Sequence, residues 1–211
     1  MKKRLFDVAV EAITNNLFRT QAYYEVDVKR DYAFISKLSE PKNDFQRSYR
    51  QYQCQCSIRK RYATLILNIA SVFIIPFYIL FCLLKNKKFI KRVDAVYSIS
   101  IKDKSIIPVS LKERYPLSHI TNEYDGLLLK LKDINFILSI FLHYPFSPYF
   151  VLKNIIKISI YRYFITAYTP KILVINSEFS CCSSIMTKYC EEQSIEHINI
   201  MHGEKLFLYK R

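Results

Sequence analysis

The spacing of apolar and polar positions divides the chain into three parts. Residues 1–62 carry apolar side chains at helical spacing and predict an amphipathic helical region. Residues 63–85 are almost continuously apolar and predict one hydrophobic, membrane-associated helix. Residues 93–211 alternate short apolar runs with helical patterns, which is typical of an α/β domain. The chain of 211 residues therefore has room for one domain preceded by an anchoring segment.

Two helical stretches are expected in the first region. They are marked by apolar residues at Phe6, Ala9, Val10, Ile13 and Leu17, and again at Phe45, Tyr49, Tyr52 and Cys56. The sequence SEPKND at 39–44 separates them, and Asp44 is the expected N-cap of the second helix. We expect these helices to lead into the membrane segment and to carry no chemistry.

The stretch from Ala63 to Leu84, ATLILNIASVFIIPFYILFCLL, has no charged residue. As a helix it would be about 33 Å long, enough to cross a hydrocarbon core of about 30 Å. A buried helix of a soluble protein is the alternative, but such a helix normally carries a polar stripe. Only a few polar residues interrupt this surface, which favours a membrane role. Pro76 lies in the middle of the segment and would kink the helix.

Basic residues flank this segment on both sides. The densest clusters are RKR at 59–61 and KNKKFIKR at 85–92. Five cations precede the segment closely and seven follow it, so the positive-inside rule weakly favours a cytoplasmic C-terminal side. A monotopic helix that enters and leaves one leaflet fits the same pattern. Both topologies stay open, and both keep residues 93–211 in the cytosol.

The formal net charge of +14 indicates an anionic partner. Because the cations bracket the apolar segment, that partner is expected to be an anionic membrane lipid surface and not nucleic acid. Six cysteines without a regular spacing, and no signal peptide before them, indicate a reducing compartment. The CQC at 54–56 and the CC at 181–182 lack the CxxC spacing of zinc sites, so no metal is expected.

The α/β region is expected to begin with a strand at 93–100, VDAVYSIS. A short helix at 108–116, a loop at 120–126 and two long helices at 127–143 and 149–168 are predicted to follow. The final 42 residues carry the clearest pattern.

A strand at 171–175, a helix at 181–193 and a strand at 197–201 form a strand–helix–strand unit. This unit predicts a parallel, Rossmann-like sheet with flanking helices. In such sheets ligands bind beyond the carboxyl ends of the strands. Two polar loops are expected there, NSEFS at 176–180 and HGEK at 202–205.

These two loops hold the candidate site residues. His202 directly follows a strand and is the candidate catalytic base or phosphate contact, and Gly203 lets the backbone approach a ligand. The other substrate-binding candidates are polar loop residues: Asn176, Glu178, Ser180, Glu204 and Lys205. Ser183 and Ser184 lie near a helix N-terminus suited to anions. A plain turn at His-Gly and a helix cap at Glu178 are the structural alternatives, and His197, on the buried strand face, is expected to be structural.

The sequence YTPKILVINSEFSCCSSIMTKYCEEQSIEHINIMHGEKLFLYKR resembles a stretch of bacterial capsular and surface polysaccharide biosynthesis proteins, which are glycosyltransferase-like with a GT-B-type fold. VDAVYSIS and LKERYP resemble the first strand and helix of the same domain, so the resemblance covers residues 93–211. It implies sugar transfer from a nucleotide donor to a lipid-linked acceptor at the cytoplasmic face of the bacterial inner membrane, without a cofactor besides the donor. It also implies an interdomain cleft lined by Asn176, Glu178, Ser180, His202, Gly203, Glu204 and Lys205.

A GT-B-type enzyme has a second Rossmann domain, which holds most of the nucleotide-sugar contacts. The 119 residues after position 92 amount to one such domain, the N-terminal, acceptor-side one, and only two glycines occur in the chain. We therefore expect a truncated or split glycosyltransferase-like protein, inactive alone, whose C-terminal half is encoded separately. A non-enzymatic membrane-anchored protein with a Rossmann-like partner-binding domain is the alternative. A protein with further spans at 134–165 is disfavoured, because Lys153, Lys157 and Arg162 interrupt that region.

Overall fold

A computed structural model describes the chain at residues 34, 36–57, 61–85, 90–98, 107–115, 119–121, 126–176 and 181–200. In chain order the elements are α1 (Asp44–Ser57), α2 (Arg61–Leu84), β1 (Ala95–Ser98), α3 (Val109–Arg114), β2 (His119–Thr121), α4 (Leu131–His143), α5 (Pro148–Tyr168), β3 (Ile172–Asn176), α6 (Ser183–Glu192) and β4 (Glu196–Ile200). The protein is thus of the α/β class, with helices flanking a sheet.

The four strands form one parallel sheet in the order β2-β1-β3-β4. The predicted unit β3–α6–β4 and the parallel pairing of its strands are confirmed. The predicted loop at 120–126 is wrong at its start, because Ile120 and Thr121 belong to β2. This strand has three residues and exists through pairing with β1, as between His119 and Val96. Such pairing leaves no local pattern in the sequence.

Alternate residues of the central strands face two separate cores. Val96, Leu173 and Ile175 pack on one side of the sheet with the long helix α5 and with α6. Tyr97 and Val174 pack on the other side, where α3 contributes Leu111. The sheet is therefore covered by helices on both faces, as the hydrophobic strand sequences require.

Helix α5 lies at the centre of the protein, and 18 of its 21 residues are buried. Helices α2, α4 and α6 pack around it, and the sheet covers a further side. A helix enclosed on all sides needs no polar stripe, which is why its sequence shows little amphipathic pattern. The same enclosure means that α5 is the core of the α/β domain, so the region 134–165 lies in the folded domain.

One ion pair lies inside this core, between Arg162 of α5 and Asp133 of α4, each of which is 1 % exposed. The Nε of Arg162 lies 2.9 Å from both carboxylate oxygens, and its Nη2 also donates to Asp133. Asp133 further accepts the Tyr189 hydroxyl and the Lys130 backbone N–H, each at 2.8 Å. Gln193 accepts from Nη2 of Arg162 at 2.9 Å. The pair thereby joins α4, α5 and α6.

Helix α1 begins at Asp44, but Asn43 is its N-cap, because Asn43 Oδ1 accepts the backbone N–H of Gln46 at 2.9 Å. The predicted capping role of Asp44 is therefore wrong: as the first helical residue it lies beside Arg47, with 3.5 Å between the charged atoms. Helix α1 also packs on α6, where Ser48 Oγ accepts the Ile185 N–H at 3.2 Å. The predicted helix around residues 6–17 lies outside the described residues.

Helix α2 contains the whole predicted segment from Ala63 to Leu84 and continues through Pro76. By length and composition, Thr64–Leu84 could cross a membrane, with a mean hydropathy of 2.4. The helix is not isolated, because Asn68 Oδ1 accepts the Tyr149 backbone N–H at 3.0 Å near the start of α5. The side of α2 that carries Asn68 therefore faces the domain.

Removing one partner of the buried ion pair should be strongly destabilising. In the variant Arg162→Ala the Asp133 carboxylate stays buried without its cation, so we expect the free energy of unfolding to fall by about 3–5 kcal/mol. Urea denaturation followed by circular dichroism measures this change.

The double variant D133L/R162M serves as the matched control, because it leaves no unpaired charge, and it should lose less stability than Arg162→Ala alone. Lys188→Ala, which removes the exposed Lys188–Glu191 pair at 3.2 Å, should change stability by less than about 1 kcal/mol. Equal losses in all three variants would contradict this account.

Gly126 allows the chain to pass directly against the ring of Tyr163. A Cβ at this position would overlap ring atoms of Tyr163, whose side chain is only 5 % exposed and has little room to move. We expect Gly126→Ala to lower the free energy of unfolding by about 1–3 kcal/mol. The same measurement in a Tyr163→Ala background should show a much smaller effect of Gly126→Ala, since the overlapping ring is then gone.

Candidate functional site

The strand order brings several chain segments together at the carboxyl edge of the sheet. The chain leaving β1 returns to β2 on one side, whereas the chain leaving β3 returns to β4 on the other. The two paths diverge between β1 and β3, whose last residues are Ser98 and Asn176. Ligands of open parallel sheets bind at such a point. We give the name carboxyl edge to the residues at which β1, β3 and β4 end and α6 begins. They are Ser98, Asn176, Ile200 and Ser183.

Ser98 is the most informative residue of the carboxyl edge. It is 6 % exposed, and its hydroxyl has no hydrogen-bond partner within the described part of the chain. Burying a hydroxyl without a partner is unfavourable, because the hydrogen bonds to water are lost and not replaced. The Ser98 hydroxyl is therefore a group to which a polar ligand atom could bond.

The register places Ser98 in a row across the sheet. Ser98 lies opposite Ile175, and Ile175 lies opposite Asn199. Since Val96 and Ile175 both pack in the core that contains α5, the alternation along the strands puts this row on the same sheet face. The polar residues Ser98 and Asn199 thus flank the apolar Ile175 near the carboxyl ends of the strands.

The N-terminus of α6 lies against the end of this row. Asn199 Nδ2 donates to Ser183 Oγ at 3.3 Å, which joins β4 to the first residue of the helix. Cys182 precedes the helix and makes no side-chain capping bond to the described residues. One early N–H, that of Ile185, is taken by Ser48. The first turn of a helix carries a partial positive charge, so this end favours an anionic ligand group such as a phosphate.

His197 has a structural position. Its Nε2 lies 3.0 Å from the Tyr161 hydroxyl on α5, and its Nδ1 lies 2.9 Å from Thr187 Oγ1 on α6. Both ring nitrogens are thus engaged by helices on the same face of the sheet. The expectation that His197 is structural agrees with these contacts, and they fix β4 relative to α5 and α6.

Of the predicted site residues in the two loops, only the backbone of Asn176 lies in the described part of the chain. Asn176 is the last residue of β3, and its backbone lies opposite Ile200 at the end of β4. The strands that precede the segments NSEFS and HGEK in the sequence, β3 and β4, are therefore neighbours in the sheet. The side chain of Asn176, and the whole of Glu178, Ser180, His202, Gly203, Glu204 and Lys205, lie outside the described residues.

Sequence reasoning missed Ser98 and Asn199. Ser98 is a polar residue near the end of the first apolar strand, and Asn199 interrupts the apolar strand at 197–201. Each is a weak signal by itself, since single polar residues are common in strands. Their importance follows from the strand order, which sets them in one row, and strand order cannot be read from local patterns.

The cysteine clusters at 54–56 and 181–182 come together in the fold, around Tyr52. Burial raises the pKa of Tyr52 well above its usual range, and the neighbouring Cys56 and Cys181 raise it further. All six cysteines are free thiols. In α6, burial raises the pKa of Cys190 to about 12 despite the opposing effect of Arg162, so this thiol stays protonated. Among the described residues no group of three or more potential metal ligands is found.

Comparison of the chain with protein-family models, with curated proteins and with solved structures gives no match.

The lack of a partner for the Ser98 hydroxyl among the described residues has a measurable consequence. Because the Ser98 hydroxyl makes no hydrogen bond to the described residues, we expect Ser98→Ala to leave the free energy of unfolding unchanged or to raise it by up to about 1 kcal/mol. Ser159→Ala is the matched control, since that buried hydroxyl donates to the Ile156 carbonyl at 2.7 Å and lies 2.8 Å from the Tyr78 hydroxyl. The control should lose about 1 kcal/mol in urea denaturation. An equal loss in Ser98→Ala would show that its hydroxyl is already bonded.

Proposed function

We propose that this chain is the acceptor-side half of a membrane-associated, GT-B-type glycosyltransferase of bacterial surface or capsular polysaccharide biosynthesis. The observation that carries the proposal is the carboxyl edge, where the buried Ser98 hydroxyl on β1 has no partner among the described residues and Asn199 on β4 contacts the start of α6. Hydroxyl, amide and helix N-terminus are groups that bind sugars and phosphates. The resemblance of residues 93–211 to polysaccharide biosynthesis proteins supports the same reaction class.

Helix α2 adds a reason to expect a lipid-linked acceptor. It is apolar enough to enter a membrane, and it packs directly on the central helix α5 of the same domain, as in the Tyr78–Ser159 contact at 2.8 Å. A site in that domain is therefore held close to a lipid surface. An acceptor sugar carried on a lipid diphosphate would have its anionic group near the headgroups and its sugar near the protein.

The proposed chemistry uses His202 as base. Its imidazole takes the proton of an acceptor hydroxyl while that oxygen attacks the anomeric carbon of the donor sugar, and the nucleoside diphosphate leaves with the electrons of the broken bond. Alternatively His202 contacts a phosphate. Asn176, Glu178 and Ser180 on one loop, and Gly203, Glu204 and Lys205 on the other, would orient sugar hydroxyls and phosphate. The donor is a nucleotide sugar, and the mechanism uses no further cofactor and no metal.

The proposal assigns donor binding to a second Rossmann domain. The described residues contain one parallel sheet of four strands, which is enough for one such domain. That second domain would supply the nucleotide contacts, and residues 1–211 without it would not transfer sugar. We place the working complex at the bacterial inner membrane with this domain in the cytoplasm.

A binding experiment on the purified chain in detergent tests the acceptor half. We expect saturable binding of a polyprenyl-diphosphate-linked sugar and no binding of uridine or cytidine nucleotides, both measured by calorimetry. Replacing His202 with Ala should weaken acceptor binding by about tenfold, the effect of losing one hydrogen bond to a charged group. His143→Ala is the matched control, because His143 lies exposed at the end of α4. Its replacement should leave acceptor binding unchanged.

Different outcomes contradict different parts of the proposal. Sugar transfer or tight nucleotide binding by the 211-residue chain alone would refute the assignment of donor binding to a second domain. Absence of acceptor binding, together with unchanged surface polysaccharide in a strain lacking the gene, would refute the glycosyltransferase function itself.

A non-enzymatic, partner-binding role is the second candidate, favoured by an exposed apolar stripe on α4. Leu131, Leu138 and Leu142 are 79 %, 49 % and 68 % exposed at helical spacing, and Phe146, just after α4, is 93 % exposed. Such a stripe is typical of a protein–protein contact. Loss of polysaccharide in Leu138→Asp, with acceptor binding unchanged, would favour this second role.

A further inference from the structure

Helix α2 presents a continuous apolar face to the outside of the protein. Nine large apolar residues of this helix are between 45 % and 74 % exposed: Leu65, Ile66, Ile69, Val72, Phe73, Ile74, Phe77, Leu80 and Leu84. We call this set the outer face of α2. Only 11 % of the most apolar 18-residue stretch of the helix is buried in the protein. Exposed patches of this kind mark a binding surface for a membrane or a protein.

The opposite side of α2 lies along α5. Asn68 bonds Tyr149 near the start of α5, and Tyr78 bonds Ser159 further along. The two contacts are ten residues apart on each helix, so the helices run side by side in the same direction over about 15 Å. Near the end of α2, the Cys82 carbonyl accepts the N–H of Leu129, in the segment before α4, at 3.2 Å. Helix α2 is thus fixed lengthwise on the domain.

This lengthwise contact decides between the two membrane topologies. If α2 crossed the bilayer, α5 and the helices packed on it would lie at the same depth. Helix α6 carries the exposed pair Lys188–Glu191, and α4 carries the exposed Lys132. Charged groups within hydrocarbon are strongly unfavourable. The outer face of α2 consists of apolar side chains, so α2 meets the membrane through this face, with the helix axis along the membrane surface.

We propose that α2 lies in the plane of one leaflet of an anionic membrane, with its outer face in the acyl-chain boundary and the rest of the domain in water. An amphipathic helix in this orientation sinks about 5–10 Å into the boundary between headgroups and acyl chains. The inference concerns attachment and stands whether or not the proposed transferase function is correct.

The charges at both ends of α2 favour an anionic lipid over a second copy of the chain. Basic residues flank the helix in the sequence at 59–61 and at 85–92, and Lys91 and Arg92 are exposed. If two outer faces met, parallel or antiparallel helices alike would bring basic ends together, because both ends carry cations. Anionic headgroups complement both ends at once.

The depth of α2 in a membrane can be measured with tryptophan probes, since the natural chain contains none. Ile66→Trp, Phe73→Trp and Leu80→Trp place single probes seven residues apart on the outer face. In phosphatidylglycerol/phosphatidylethanolamine vesicles, we expect brominated lipids to quench the fluorescence of all three probes to the same extent. Equal quenching by lipids brominated near the headgroup places the three probes at the same shallow depth. If Phe73→Trp lies about 10 Å deeper than the other two, as in a spanning helix, the proposal is wrong. Unquenched probes would also overturn it.

A flotation assay with the full chain tests the occupant of the outer face. The double variant F73S/F77S should bind these vesicles at least tenfold more weakly than the natural protein. Val109→Ser is the matched control, because Val109 and Phe73 are both 67 % exposed and Val109 lies on α3, across the sheet from α2. Control binding should be unchanged, and neutral phosphatidylcholine vesicles should bind the natural protein less well. Equal binding of the natural protein to both vesicle types would refute the proposal. It would also be refuted if the natural protein bound no vesicles but formed a dimer that F73S/F77S abolishes.

Discussion

The buried ion pair of Arg162 and Asp133 is the interaction on which the arrangement of the helices depends. Two charges in a protein interior are tolerated only if they are paired and if their remaining hydrogen-bonding groups are satisfied. Here Tyr189 of α6, Gln193 just after α6, and the backbone before α4 complete the bonds. Burial and the Asp133 carboxylate both raise the pKa of Tyr189, so its hydroxyl remains a donor. The three helices can therefore meet in one relative position.

That position sets the geometry of the carboxyl edge. Helix α6 is held at its far end by the ion-pair network and in its middle by His197, which also binds α5. Its first residue, Ser183, then lies against Asn199 at the end of β4. The N-terminus of α6 is thus positioned by contacts at some distance from it. A ligand at this edge would meet a preformed set of polar groups.

Much of the fold follows from the sequence, because local periodicity is a strong signal where an element has two different faces. Strand β1, helix α1 and the unit β3–α6–β4 were predictable for this reason. Strand β2 and the enclosed position of α5 were not, since both depend on partners distant in sequence. Helix α2 shows both cases: Asn68 and Tyr78 contact α5, while the outer face stays exposed. The core-helix interpretation of that segment describes the side that contacts α5. The exposed apolar side is the one on which the membrane interpretation is based.

The contact between α2 and α5 has a consequence for synthesis. Tyr78 and Ser159 are 81 residues apart, so at about 5–20 residues per second α2 leaves the ribosome about 4–16 s before its partner helix is made. During that interval both sides of α2 are uncovered, including the side that later faces the protein. A lipid surface can shelter the helix until α5 arrives. The domain would then be completed at the membrane, with one side of α2 passing from lipid to protein as α5 folds against it.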